Sequence, residues 1–252
     1  MTSARLEAEL YALTHRGTAG DAAFYAKFCR RAKRVLELGS GYGRLLSVLA
    51  EPGRDLVGLE LDREFLAAAQ RRLRALPQTK RRTVRLLHGD MRRFAFEQRF
   101  DRVVLPYNAL YCLLTKRDAL ACFRAVRAAL APGGAFAFDL WNAEGFHQQP
   151  AHQSADDSKP IVRLRHAGQS WDVFERVRLR RSAQRLDVTY HYVPRSGGAP
   201  CQIPIAQRYY RVPELAELLA RAGLAVHARY GTFSRTRFTL RSPHLIVIAR
   251  AV

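Results

Sequence analysis

The chain is short of acid. Its 252 residues carry 42 Lys and Arg against 22 Asp and Glu, a formal charge of +20. Cysteine is also scarce, with Cys29, Cys112, Cys122 and Cys201 scattered and no C-x-x-C pair among them. That spacing gives no disulfide framework and no zinc signature, and without clustered histidines no metal is expected. No apolar run approaches the roughly 20 residues that a membrane-spanning helix needs, so no membrane partner is expected. The opening Met-Thr-Ser-Ala-Arg-Leu-Glu lacks the apolar core of a signal peptide, and a reducing cytoplasm is the expected location.

Such a basic balance attracts polyanions, which brings nucleic acid in as one possible partner. Position argues the other way. Arg30-Arg31-Ala-Lys33-Arg34 precedes the first expected strand, and Arg71, Arg72 and Arg74 with Lys80-Arg81-Arg82 close the helix after the second. Both clusters belong at the amino-terminal ends of parallel strands, whereas ligands in open α/β sheets bind beyond the carboxyl ends. Most of this charge reads as a solvated back face.

The organising stretch is Val35-Leu-Glu-Leu-Gly-Ser-Gly-Tyr-Gly-Arg44. Four apolar-flanked residues suit a buried parallel strand, and a helical pattern starts at Leu45. Between them stand Gly39, Gly41 and Gly43, a turn that lets a ligand lie against bare backbone. What is missing decides which ligand. The dinucleotide fingerprint G-x-G-x-x-G needs a glycine at position 44, and Arg44 stands there. An acid, Glu37, sits two residues before the first glycine instead. A carboxylate suits a ligand bearing a cationic amino group and repels a pyrophosphate.

The pattern Glu37-x-Gly39-x-Gly41-x-Gly43 resembles motif I of the class I S-adenosylmethionine-dependent methyltransferases. Later residues extend the resemblance. Asp55 to Leu61 reads as the second strand, ending in Glu60, an acid about twenty residues after the first glycine and placed for ribose hydroxyls. Leu61 follows it, and Asp62 is expected to cap the helix Arg63 to Leu76. After the third strand (Thr83 to Leu87) come Asp90 and Met91, which the resemblance assigns to the adenine. The fourth strand (Phe100 to Leu105) leads into Pro106-Tyr107-Asn108-Ala-Leu-Tyr111, the loop implied to face the transferred methyl group. This loop lacks the Asn/Asp-Pro-Pro-Tyr/Phe and Pro-Cys motifs of base methylation.

Upstream, residues 4 to 16 and a second helix capped by Asp21 form an expected amino-terminal helical cap (1–32). The segment Gly20-Asp21-x-x-Phe24-Tyr25 resembles a bacterial methyltransferase subgroup in which this helix covers the cofactor, so Tyr11 and Tyr25 become cofactor candidates beside Arg44 and Pro106. Strict strand–helix alternation runs to the fifth strand (Ala135 to Leu140). It predicts a Rossmann-like, doubly wound, seven-stranded and mostly parallel α/β sheet, with the core in 33–141 and 211–252.

Between Trp141 and Tyr210 no helix is expected. A polar loop (Gln148 to Ser158) precedes four alternating runs, 161–166, 171–180, 185–193 and 202–210. These read as an inserted antiparallel sheet (142–210) acting as a lid over the site. On it, Arg176, Arg178 and Arg180 share one face. Tyr190 and Tyr192 share another, opposite His191.

The function expected from the resemblance is methyl transfer from S-adenosyl-L-methionine, leaving S-adenosyl-L-homocysteine, to an N or O atom of a small metabolite. The acceptor is anionic if the three arginines face the site. A nucleic-acid methyltransferase, a non-catalytic binding module and, last, a nicotinamide oxidoreductase remain as alternatives. No catalytic residue is identified; Tyr107, Asn108, His191 and Arg208 are candidates, and Tyr107, Asn108, Tyr111, Trp141, Asn142 and Tyr209 are expected around the acceptor. A monomer or homodimer fits equally.

Overall fold

The computed structural model describes residues 3–148, 153–154 and 159–252. Two helices, α1 (Ser3–Thr14) and α2 (Asp21–Cys29), come first. The alternating series then runs β1 (Arg34–Leu38), α3 (Arg44–Leu49), β2 (Asp55–Glu60), α4 (Arg63–Arg74), a single turn α5 (Gln78–Arg81), β3 (Val84–His88), β4 (Phe100–Leu105), α6 (Lys116–Ala129) and β5 (Leu130–Trp141). After α7 (Ala143–His147) come β6 (Gln153–Ser154), β7 (Val162–His166), β8 (Gln169–Arg180), β9 (Arg185–Pro194) and β10 (Cys201–Ile205). The chain closes with α8 (Val212–Arg221), β11 (Leu224–Tyr230) and β12 (His244–Ala251).

Among the described residues the larger sheet has seven strands in the order β11-β12-β5-β4-β1-β2-β3. Strands β1 to β5 are parallel, and β12 runs antiparallel between β5 and β11. This is the doubly wound, mostly parallel sheet that the alternation predicts. Val35, Leu36 and Leu38 are fully buried, as a central strand covered on both faces requires. From β1 the chain order proceeds outward through β2 to one side and β4 to the other. The connections beyond their carboxyl ends therefore diverge and open a crevice at the switch point.

The second sheet is antiparallel, β10-β9-β8, with β6 and β7 both paired to β8. Period-two alternation decides what each face does. Trp171 and Val173 of β8, with Leu186, Val188, Tyr190 and Tyr192 of β9, are buried inward. Arg176, Arg178 and Arg180 are exposed on the other face, so they look away from the protein. Helix α1 packs against α4 on one side and against β7 and β10 on the other. That carries its last turn to the crevice.

Several local expectations change. Gly20, not Asp21, is the N-cap of α2; the Asp21 carboxylate is drawn off by Arg44. A short helix, α7, does occur inside the insertion, started by Asn142, whose side chain accepts from the Glu144 amide (3.2 Å). The last inserted strand stops at Ile205 rather than residue 210, because the chain peels away to dock elsewhere. The Arg208 amide donates to the Tyr111 carbonyl and the Tyr209 amide to that of Gln184. Most of the polar loop expected at Gln148 to Ser158 lies outside the described residues. Asp62 caps α4 as expected, accepting from the amides of Glu64 and Phe65.

Gly43 shows how tightly the glycine turn is set. Its φ is +76°, and an added Cβ would stand 3.1 Å from the Ala69 Cβ and 3.3 Å from its Cα. Gly43→Ala combines left-handed strain with crowding against α4, and about 1–2 kcal/mol of stability should be lost. For a chain of this size that is a fall in Tm of about 2–8 °C, readable by thermal melting. No change in Tm would mean that the turn relaxes.

Candidate active site

The site grows from the carboxyl ends of β1, β2 and β4. Glu37, next to last in β1, is only 2% exposed, and its Oε2 is buried with no hydrogen-bond partner among the described residues. Burial pushes its pKa well above the ordinary carboxylate range, partly offset by Arg44. An orphaned buried carboxylate oxygen is costly, and Glu37 lines a cavity of about 590 Å³. Beside it the chain turns through Gly39 and Gly41 (φ +61° and +54°). Space is open around the missing Gly41 side chain, with nothing within 4 Å.

Glu60 ends β2 and clamps this turn. Its Oε2 accepts from the Gly41 amide (2.7 Å) and its Oε1 from the Asp62 amide (2.9 Å). Burial raises its pKa while those amides pull the other way. Asp90, after β3, shares its carboxylate with the Arg92 guanidinium (2.6 Å to Oδ2), which holds its pKa down. Arg44 is committed to Asp21 through two hydrogen bonds (2.9 and 2.5 Å), tying α3 to α2 at the rim of the cavity.

The loop after β4 is strained. Tyr107 and Asn108 both have positive φ, 58° and 59°, which is uncommon for residues with side chains and out of character for a bulky one. Asp139, fully buried in β5, enforces it. Its Oδ1 accepts from the Tyr107 amide (2.9 Å) and from the Tyr25 hydroxyl (2.5 Å), and its carbonyl accepts from the Asn108 amide (3.2 Å). The Asn108 Oδ1 accepts from the Trp141 amide. The turn is thus pinned to β5 on both sides of its strained pair.

Opposite this loop stands the end of α1. The rings of Tyr11 and His15 stack (centroids 3.8 Å apart, 15° between planes). Tyr190 of β9 meets His15 edge-on at 4.5 Å and Tyr107 does so at 6.4 Å. The Tyr42 hydroxyl donates to the His15 carbonyl (2.5 Å), fastening the glycine turn to α1. Ile205 and Gln207, from the end of the inserted sheet, also line the cavity.

Of the residues expected from sequence, Tyr11, Glu37, Gly39, Gly41, Arg44, Glu60, Leu61, Asp90, Met91, Pro106, Tyr107 and Asn108 line this one cavity. Others do not. Tyr25 is fully buried behind it, bound to Asp139, and Gly43 packs on Ala69. Tyr111 is buried with its hydroxyl on the Trp141 carbonyl (2.7 Å). Trp141 is partly exposed outside the cavity lining. Asn142 is spent on the Leu240 and Ser242 carbonyls. Tyr209 is buried against His147 (2.6 Å), and Arg208 is paired with Glu214 (2.6 Å). His191 sits on the face of β9 opposite Tyr190 and Tyr192, outside the cavity lining.

Sequence reasoning missed His15, Tyr42 and Phe65. A signal for the first was present: Tyr11 and His15 are four residues apart, hence on one face of a helix. Among the described residues, no cluster of His, Cys, Asp and Glu could hold a metal ion. No helix there is long and apolar enough to cross a membrane.

Comparison with known proteins places the site in context. A family described as a methyltransferase domain matches residues 35–134. A provisionally named methyltransferase, YqeM, of Bacillus subtilis (strain 168) is 27% identical over 226 residues, 86% of this chain and 83% of its own. The dTDP-3-amino-3,6-dideoxy-alpha-D-glucopyranose N,N-dimethyltransferase of Streptomyces fradiae is 30% identical over 142 residues, about half of each chain (53% and 52%). Among solved structures, the CcbJ methyltransferase from Streptomyces caelestis superposes with a TM-score of 0.79 at 26% identity, covering 92% of this chain and 88% of that one.

Proposed function

The chain is a class I S-adenosylmethionine-dependent methyltransferase, and we propose that it transfers the methyl group to an N or O atom of a small metabolite. One observation carries this reading. A single cavity of about 590 Å³ is lined by the glycine turn, by aromatic residues of α1 and the β4 loop, and by Ile205 and Gln207 from the end of the inserted sheet. That volume suits a small ligand. A relative whose name gives it an amino-sugar nucleotide as substrate supports a small acceptor.

The residues fit the cofactor. The orphaned Glu37 oxygen suits the amino group of its methionine part, and the open space at Gly41 admits a close backbone approach. Glu60 is placed for the ribose hydroxyls, with Asp90 and Met91 for the adenine. Gly39, Leu61, Pro106, Arg44 and Tyr11 complete the walls. The cofactor supplies a methyl group on a positively charged sulfur that is already a good leaving group. The chain mainly aligns the acceptor with it and keeps water out. Residues 142–210 serve as the substrate lid, residues 1–32 as the cap, and Tyr107 and Asn108 border the acceptor. With Arg176, Arg178 and Arg180 turned outward, the reason to expect an anionic acceptor falls away.

Glu60→Ala should weaken S-adenosylhomocysteine binding by about 1–3 kcal/mol, through unpaired ribose hydroxyls and a released Gly41 amide. Calorimetry reads this directly, and an unchanged Kd would remove Glu60 from the site. The acceptor class is tested by following S-adenosylhomocysteine formation with amino sugars, simple alcohols, single-stranded RNA and duplex DNA. Turnover of small molecules alone supports the proposal. Turnover restricted to nucleic acid would replace it.

A further inference from the structure

We propose that Nε2 of His15 accepts a hydrogen bond from the N–H of a neutral primary or secondary amine, and that this amine is the nucleophile. The inference rests on the methyltransferase reading above and narrows it from N or O to N.

The tautomer follows from geometry. His15 Nδ1 lies 3.0 Å from the Tyr11 carbonyl oxygen. A carbonyl only accepts, so Nδ1 carries the proton and Nε2 keeps its lone pair. Nε2 has no partner among the described residues, and the ring belongs to the cavity wall. Burial lowers the His15 pKa to about 4, which keeps the ring neutral at physiological pH.

The groups around His15 reinforce this. Tyr11 of α1, Tyr42 of the glycine turn, Tyr107 of the β4 loop and Tyr190 of β9 are phenols whose pKa values burial pushes up. They stay uncharged. The Tyr190 hydroxyl is bonded to the Glu175 carboxylate of β8, which faces inward with it as its register partner. The nearby Arg44 and Asp21 neutralise each other. His15 thus presents a fixed acceptor inside an aromatic wall with no strong base beside it.

That arrangement separates nitrogen from oxygen. An alkyl hydroxyl holds its proton about as tightly as water does, and burial leaves His15 a weaker base than an ordinary imidazole, so an oxygen nucleophile finds little help here. A neutral amine already has a free lone pair. As its bond to the methyl carbon forms, the carbon–sulfur bond breaks and that electron pair stays on sulfur. Positive charge then develops on nitrogen, so its N–H becomes a stronger donor to Nε2. The interaction is greater in the transition state than in the ground state, which is what accelerates the step. Tyr11 and Tyr107 line the same cavity, where a ring face stabilises a growing cation. The proton remains on nitrogen and leaves afterwards to water.

The test begins without turnover. Nitrogen-15 NMR of His15 should show a protonated Nδ1 and an unprotonated Nε2 from pH 6 to 8. An Nε2–H tautomer or an imidazolium in that range would overturn the proposal. His15→Phe keeps a ring against Tyr11 and should bind S-adenosylhomocysteine within twofold of the native protein. With any amine turned over, its kcat should fall about 10- to 100-fold with little change in KM. The native pH profile should follow the ionisation of the amine, with no inflection near 6.5. Native turnover of an alcohol, or a kcat in His15→Phe within twofold of native, would also refute it. Failure of the native protein to bind S-adenosylhomocysteine is a different result, and would fall on the reading of the cavity instead.

Discussion

Glu37→Gln is expected to weaken S-adenosylhomocysteine binding by about 2–5 kcal/mol, some 30-fold to several thousandfold in Kd. The free protein should meanwhile keep or raise its Tm. The two effects share one cause. In the free protein Glu37 is buried with an oxygen that nothing satisfies, and burial pushes its pKa well above the ordinary range. A folded-state pKa above the unfolded one means that folding takes up a proton. The stability this group contributes is therefore present at low pH and lost as pH rises through the window above 4.5. Glutamine cannot ionise, so that loss disappears. It also cannot pair with an ammonium group, so the ligand loses its counter-charge. By the same linkage, pairing with an ammonium group favours the charged carboxylate, so any proton that the raised pKa leaves on Glu37 is released on binding. Calorimetric titrations in buffers of different ionisation enthalpy should differ for the native protein and coincide for the variant. A variant that is less stable when free yet binds normally would show that Glu37 only packs.

Asp139→Ala is the second large effect. About 2–5 kcal/mol of stability should be lost, with kcat falling further than the residual folded fraction explains. Asp139 is where the Tyr25 hydroxyl and the Tyr107 amide both end. It holds two consecutive residues in a conformation that costs roughly 1–3 kcal/mol each. Without it, Tyr107 and Asn108 are free to relax away from the cavity. Asp139→Asn separates the hydrogen bonds from the charge. Burial raises the Asp139 pKa from 3.8 to about 6, so the native protein loses stability from this group as pH rises from about 4 to about 6. The stability of Asp139→Asn relative to native should accordingly grow by about 3 kcal/mol across that window. Each kcal/mol appears as about 2–4 °C in Tm. A difference that stays flat between pH 4 and pH 8 would mean that Asp139 is not ionising there.

The parts of this molecule legible in sequence are those where one residue type serves one purpose. Alternating glycines after a buried strand, an acid at the end of the next and strict strand–helix alternation all belong to local chemistry. They lead to a seven-stranded sheet and to a cavity lined by Glu37, Gly41, Glu60, Asp90 and Tyr107. The acceptor side was much less legible. Tyr111, Tyr209, Arg208 and Asn142 are plausible site residues by chain position, yet tertiary hydrogen bonds consume each of them. Period-two alternation put Tyr190 and His191 on opposite faces of one strand. Only the docking of α1 against β7 and β10 determined that the tyrosine faces inward. The importance of His15 lies mostly in contacts to three elements far from it in sequence, the glycine turn, the β4 loop and β9.

The central claim is that the glycine turn, Glu37 and Glu60 form a site for S-adenosylmethionine and not for a nicotinamide dinucleotide. Calorimetric titration of ligand-free protein with S-adenosylhomocysteine, beside NADH, tests it most directly. Micromolar or tighter binding of the thioether, with none of NADH, is the expected result. Binding of NADH without the thioether would contradict the account at its root.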